Sequence, residues 1–442
     1  MRDWSPEVVA QAAGVRLEGP VPVRPGSPPG PLRVTIDSRD VQPGDLFVGL
    51  PGRNHDGGRF AGAALDAGAW GVLVTPEHAR HDRFATPGVT LESDDPLAGL
   101  QALARSWRRA LGAQVIAITG STGKTSTKDL LTAMLATQRR VVASRQNLNT
   151  EIGLPLSILA APAGTEVLVL EMAMRGSGQI AELAAIGEPD VGVIVNVGPV
   201  HLEVLGSLEA IAAAKAELLV DLRPGATAIL PADEPLLDVH LRDDLHTVTF
   251  GPGGDVASLP DDLELPFTSR HMQLNALAAL AAARAVGVEP AGRQEVELSV
   301  LRGQRIELPG PLLVIDDCYN ANPMSMRAAL DDLVASAPGS GRRIAVLGDM
   351  LELGPDTDRF HAEIGAHARE AGVDVLVTVG PLAALMGPPF AGERHAADDA
   401  AAATALVREL VVPGDTVLVK GSRGVGLEVV AQGLQAAGAE IE

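Results

Sequence analysis

The sequence predicts an α/β protein in three parts, each organised around a largely parallel sheet. Length is the first reason: 442 residues make about three domains at roughly 150 residues each. The second is an alternation, from about residue 112 onward, of apolar β-branched runs with Ala- and Leu-rich helical patterns, the mark of parallel α/β architecture. The third is the kind of apolar residue. Hydrophobic side chains make up 46% of the chain but aromatic ones only 2%, so the cores must be packed from Ala, Val and Leu. The 48 glycines and 32 prolines suit many strand-to-helix turns.

In chain order, the segment from Gly19 to Pro31 is rich in proline and reads as a loop. Short strands follow near Val34 and Phe47, then a helix from about Phe60 to Ala67 and the strand WGVLV from Trp70. The middle holds candidate buried strands at Val115–Gly120, Val167–Ala173, Val191–Val197 and Ala226–Leu230. A second set lies at Leu312–Asp317, Ile344–Met350, Val373–Gly380 and Thr416–Gly421. Several are apolar on both faces, as strands covered by helices on each side must be. The expected boundaries fall near residues 100 and 300, giving parts 1–100, 101–300 and 301–442.

Charge narrows the function classes. The 35 Lys and Arg stand against 56 Asp and Glu, a net charge of −21, which opposes non-specific binding to nucleic acid or to an anionic membrane. An anionic small substrate would need a local cationic pocket. The single cysteine, Cys318, cannot form an intrachain disulfide. The start MRDWSPEVVA puts acidic residues where a signal peptide needs an apolar core, and the Ala-rich run near Ala276–Val288 carries Arg284. A cytoplasmic protein without membrane insertion is therefore expected.

The chemistry-bearing motif is ITGSTGKTST, from Ile118 to Thr127, between an apolar strand and a helical pattern. Gly120 and Gly123 let the backbone curl so that successive N–H groups face an anion at a helix start. Lys124 then reaches the outer phosphates of a nucleoside triphosphate, and Thr125 can hold Mg²⁺. Ile118 stands where the full Walker pattern has its first glycine, so a Gly-rich turn beside a surface lysine is the competing reading. Glu171 closes the strand VLVLE, and a carboxylate at that strand edge suits a Mg²⁺ ligand or a solvent-facing end. His201 follows the strand VGVIVNV and the turn GPV; alone it is as well explained by structure. Lys215 lies in the helical run LEAIAAAKAELL, where a lysine usually lays its stem along the surface, and its spacing by itself assigns no function.

Together the motifs resemble the Mur ligases, ATP-dependent amide-forming enzymes of peptidoglycan precursor synthesis. The resemblance runs over nearly the whole chain: IDSRDVQPGDLFVGLPG from Ile36, ITGSTGKTSTK from Ile118, QNLNTEIGLPLSIL from Gln146, NVGPVHLEVLGSLEAIAAAKAELL from Asn196, IDDCYNANPMSMRAAL from Ile315, VLGDMLELG from Val346 and VLVKGSRG from Val417. DDCYNANP followed by GDMLELG points to the branch that joins D-alanyl-D-alanine to a UDP-N-acetylmuramoyl-tripeptide. The resemblance implies a small N-terminal α/β domain for the uridine nucleotide, a central P-loop-type ATPase domain and a C-terminal Rossmann-like domain. It implies activation of the peptide carboxylate as an acyl phosphate, and a monomer.

Carried over position by position, the resemblance gives Gly120, Ser121, Thr122, Gly123, Lys124, Thr125 and Ser126 to ATP, with Asn275 at adenine and Arg305 and Asp317 from the C-terminal part. It places Thr125 and Glu171 on one Mg²⁺ ion and His201 on a second. Lys215 matches the lysine that is carbamylated in this family, which turns a cation into an anion able to support that second ion. Asn147, Asn149 and Thr150 match the segment approaching the muramoyl substrate, and Ser38 and Arg39 the uridine motif. Asn320 and Asn322 are candidates near the dipeptide, with Lys420, Ser422 and Arg423 behind them.

Departures from the family pattern are Ala173 for a glycine, Gln179 for a glutamate, Met272 for an asparagine, and Gly49 and Gly58 for an alanine and a histidine. Cys318 replaces a threonine and is expected to be a small buried residue. The competing readings are a third-residue ligase or folylpolyglutamate synthetase of the same superfamily, and a module that binds or hydrolyses ATP without forming an amide.

Overall fold

A computed structural model describes residues 1–19, 28–52, 55–80, 84–145, 147–267, 269–337 and 341–439. Most of the proline-rich segment expected as a loop, and Gln146, lie outside the described residues. The strands form three main sheets.

The first has five strands, in the order Arg16–Glu18, Val89–Glu92, Gly71–Val74, Asp45–Val48, Arg33–Thr35. Only the Arg16–Glu18 edge runs antiparallel. The expected helix near Phe60 begins as a 3₁₀ turn, Gly57–Phe60, and continues as Ala61–Asp66. The helix Pro96–Leu111 ties this sheet to the next. Asp95 caps it through the Leu97 and Ala98 amides, proline opens its first turn, and Gly112 ends it at φ +63°. Its apolar stripe, Leu100, Leu103, Ala104 and Trp107, is buried. Trp107 donates from Nε1 to the Ala161 carbonyl at 2.9 Å and meets Trp4 edge to face at 5.4 Å.

The central sheet is six-stranded and wholly parallel, in the order His246–Phe250, Thr227–Pro231, Val191–Ile194, Gln114–Thr119, Val167–Glu171, Val141–Ala143. Helices cover both faces. On one, Lys124–Ala136 packs against Arg270–Ala285, whose run Ala276 to Ala283 is buried throughout. Small side chains there let the two helices approach closely, which is how a core nearly free of aromatics still packs densely. Gln114–Thr119 is flanked on both sides, and the chain crosses over it between Val167–Glu171 and Val191–Ile194. Its carboxyl end is thus the crevice in which open α/β sheets bind ligands.

The third sheet orders Gln304–Leu308, Leu312–Asp316, Thr416–Lys420, Arg343–Gly348, Val375–Val379, Glu393–Ala397, antiparallel only at Gln304–Leu308. The three-part α/β architecture agrees with the sequence expectation. Strands absent from that expectation are mainly edges, such as Arg16–Glu18 and Glu393–Ala397, which carry charges and are half exposed. No helix of the described residues is long and apolar enough to cross a membrane.

Candidate functional site

The glycine-rich loop leaves the carboxyl end of Gln114–Thr119 and opens the helix Lys124–Ala136. Gly123, at φ +76°, is the residue before that helix and offers no side-chain cap, so the first-turn amides stay open to an anion. The Ser121 and Thr122 amides are not open. Asn196 Oδ1 accepts from Ser121 N at 3.1 Å and Thr122 N at 2.9 Å, while its Nδ2 donates to Thr122 Oγ1 at 3.0 Å. Ser121 and Thr122 therefore brace the loop, and Asn196 is a site residue that sequence reasoning did not single out.

Lys124 folds back over this loop, Nζ donating to Gly120 O at 2.8 Å. Burial holds its ammonium below the ordinary lysine range; Glu171 opposes that shift and Arg302 reinforces it. A phosphate would relieve the cost. Thr125 Oγ1 donates to Glu171 Oε2 at 2.9 Å, and Asn149 Nδ2 donates to Oε1 at 2.9 Å. Glu171 is only 1% exposed, yet both of its oxygens are satisfied.

Thr125 and Glu171 fit Mg²⁺, being two hard oxygen donors side by side at the phosphate end. Among the described residues no three His, Cys, Asp or Glu gather into a metal cage, and an ion beside phosphates needs only one or two protein oxygens.

Lys215 is also only 1% exposed, and no hydrogen bond among the described residues reaches its Nζ. Burial, with repulsion from Lys124, drives its pKa well below the ordinary value. The shift favours the neutral amine, the form that reacts with CO₂. His201 sits at φ +55° with Nδ1 2.6 Å from Glu352 Oε2. Burial depresses its pKa, Glu352 partly offsets this, and Lys124 and Lys215 add to the depression.

These side chains line one cleft of about 1530 Å³, shared by the central and C-terminal parts. Asn275, Arg305, Asp317, Asn147, Thr150, Asn320 and Asn322 line it too. Asn275 is so close to Gly123 that a Cβ there would lie 2.4 Å from Asn275 Oδ1. We expect Gly123→Ala to cost about 1–2 kcal/mol from left-handed backbone alone and to displace Asn275, weakening ADP binding by ten-fold or more in titration calorimetry.

Asp317 accepts from buried Lys420 Nζ at 2.6 Å, and Arg305 is held by Asp332 at 3.2 Å. Asn322 is a helix cap, its Oδ1 accepting from Ser325 N at 3.0 Å, so that oxygen is already engaged. Arg302 is a second residue that the sequence does not single out; its guanidinium lies 3.9 Å from the centre of the Tyr319 ring and faces the same cleft.

Ser38 and Arg39 stand apart from the cleft, in the turn after Arg33–Thr35. Arg39 is paired at 2.6 Å with Asp37, whose carboxyl it draws down to about 2. Three of the departures, Gln179, Gly58 and Cys318, have local explanations. Gln179 Oε1 accepts from the Arg175 and Gly176 amides at 2.6 and 3.2 Å, as a glutamate oxygen would. Where Gly58 lacks a side chain, the His78 ring fills the space, its Cδ2 2.2 Å from where a Cβ would sit. Cys318 is buried and its thiol is pushed up by burial, as expected of a packing residue.

Residues 33–105, 118–283 and 301–423 match, in turn, the Mur ligase family catalytic domain, the Mur ligase middle domain and the Mur ligase glutamate ligase domain. The UDP-N-acetylmuramoyl-tripeptide–D-alanyl-D-alanine ligase of Bacillus subtilis is 35% identical, over 91% of this chain and 92% of its own length. The chain belongs to the Mur ligase family. Among solved structures, this Mur ligase is similar to MurF of Acinetobacter baumannii, with a TM-score of 0.85, 27% identity and 98% and 99% of the two chains covered. It is similar also to the MurF ligase of Thermotoga maritima in complex with ADP, with a TM-score of 0.80, 30% identity and 93% and 98% covered.

Proposed function

We propose that this Mur ligase uses ATP to join D-alanyl-D-alanine to UDP-N-acetylmuramoyl-tripeptide, giving the pentapeptide nucleotide, ADP and phosphate. The carrying observation is the single cleft that gathers Lys124, Thr125 with Glu171, His201 and Lys215 at the end of Gln114–Thr119. In the division of labour that goes with this, residues 1–100 hold the uridine nucleotide, 101–300 hold ATP, and 301–442 close over it. ATP places the reaction in the cytoplasm.

The tripeptide carboxylate attacks the γ-phosphorus, forming a C–O–P link and releasing ADP. The dipeptide amine then attacks the acyl carbon, and phosphate leaves with the amine's proton lost to solvent. Anions meet in both steps, so cations must be in place beforehand. Lys124 Nζ, freed from Gly120 O, balances the transferring phosphoryl group, and the first-turn amides hold the phosphate chain. Mg²⁺ on Thr125 and Glu171 would draw charge from the phosphate oxygens. A second ion would take His201 and Lys215, whose Nζ, once deprotonated, would add CO₂ to give a carbamate and one proton. Asn275, beside Gly123, would take the adenine edge, as the family resemblance implies, since an amide both donates and accepts.

With ATP, Mg²⁺ and the tripeptide nucleotide, phosphate release should require D-alanyl-D-alanine and should match pentapeptide formed one for one. Phosphate release indifferent to the dipeptide would instead mark an ATP-hydrolysing module.

A further inference from the structure

The motif GDMLELG, residues 348–354, has no part in the chemistry above, yet the structure fixes it at almost every residue. The Ser422 amide donates to Asp349 O at 3.0 Å, and the Ala383 amide donates to Asp349 Oδ1 at 2.7 Å. Met350 N donates to Nε2 of fully buried His361 at 2.9 Å, and that ring's Nδ1 donates to Thr357 O at 2.7 Å. Leu351 N donates to Ser422 Oγ at 3.0 Å. All of these anchors belong to the C-terminal part.

From this anchored base the chain reaches across to the central part. Gly354 lies against Glu203, a Cβ there coming 3.3 Å from Glu203 Cα. Glu352 holds φ +63° and puts Oε2 2.6 Å from Nδ1 of His201, which itself holds φ +55°. Two non-glycine residues in left-handed backbone, a conformation that L side chains rarely adopt, thus face each other across the junction. The side chain of Glu352 is 47% exposed, and a polar contact so open to water returns little stability. Strain of this kind, kept for a weak pair, points to positioning.

An ionised carboxylate only accepts hydrogen bonds, so the ring nitrogen facing it must carry the proton. That leaves Nε2 of a neutral His201 with its lone pair, the atom a metal ion takes, in the carboxylate–histidine–metal pattern of many metal sites. We propose that Glu352 is a positioning residue for His201, supplied by the C-terminal part, which fixes the Nδ1–H form and presents Nε2 to the phosphate end of the cleft. This rests on the reading of His201 as an ion-binding residue. The GDMLELG motif thereby serves to deliver one carboxylate across the junction.

The test uses the full chain with ¹⁵N-labelled histidine, the His201 signals being identified by their loss in His201→Gln. In the ligand-free protein, His201 should show the Nδ1–H tautomer, and Glu352→Ala should shift it toward Nε2–H with the other histidines unchanged. Glu352 is exposed enough for this variant to keep its fold, read from the same spectra. In the ligase assay Glu352→Ala should raise the Mg²⁺ concentration for half-maximal rate by about ten-fold or more, with a smaller change in kcat at saturating Mg²⁺. An unchanged tautomer, or an unchanged Mg²⁺ requirement, would overturn the proposal. Absence of dipeptide-dependent turnover in the wild-type chain would overturn the ligase reading instead and leave the tautomer result standing.

Discussion

Replacing Lys124 by alanine should lower kcat by about 10²–10³-fold and leave the protein folded. The lysine is a poor stabiliser of the ligand-free chain, because its ammonium is drawn out of water with one carbonyl, Gly120 O, as its hydrogen-bond partner. Its removal relieves that desolvation, so the unfolding temperature should stay level or rise. What is lost is charge opposite the phosphoryl group. ADP, which stabilises the wild type by binding the folded state, should raise the melting temperature of the variant much less. Near-normal turnover in Lys124→Ala would remove the phosphate role, and a large fall in melting temperature would recast the residue as structural.

Lys215 should give a comparable loss through a different cause. Both Lys215→Ala and Lys215→Met should lose about 10²-fold or more in turnover, since neither can carry the carbamate anion. The alanine variant leaves room beside His201, and a short carboxylic acid such as formate should restore part of its rate. The methionine variant fills the space with a stem of similar length and should not respond. Full activity of either variant without added acid would refute the carbamate. The depressed pKa also has a sign that can be read in stability. In CO₂-free buffer the unfolded chain protonates Lys215 up to its ordinary value near 10.5, whereas the folded chain sheds the proton earlier. Stability from this group therefore rises with pH between those two values and is flat below and above them. Lys215→Met should abolish that increment.

How much of this could be read before the structure depended on how local the determinant was. The strands Val167–Glu171 and Val191–Ile194 announce themselves because both faces are apolar. Glu393–Ala397 does not, since it reads ERHAA, three polar residues and then two alanines, with no apolar run to mark a strand. The loop around Gly123 was legible for the same local reason: glycine, lysine and threonine lie together in sequence. Lys215 shows the opposite case. Its helix looks like an ordinary packing helix, and only the fold reveals that its amine is buried near another cation; resemblance, not spacing, gave it a role. Asn196 and Glu352 act over 74 and 151 residues of separation, and no window of sequence shows such pairs. Gly58 with His78 makes the same point, a gap in one segment filled from another.

The edge-to-face pair Trp4 and Trp107 has a practical consequence. With Trp70 these are all the tryptophans of the chain, and every one lies before residue 108. Intrinsic indole emission therefore reports on the N-terminal sheet and its connecting helix, and is optically silent about the part that carries Glu352. One indole placed at exposed Val412 would give that part its own signal, and its emission would track the C-terminal sheet against a background that stays still.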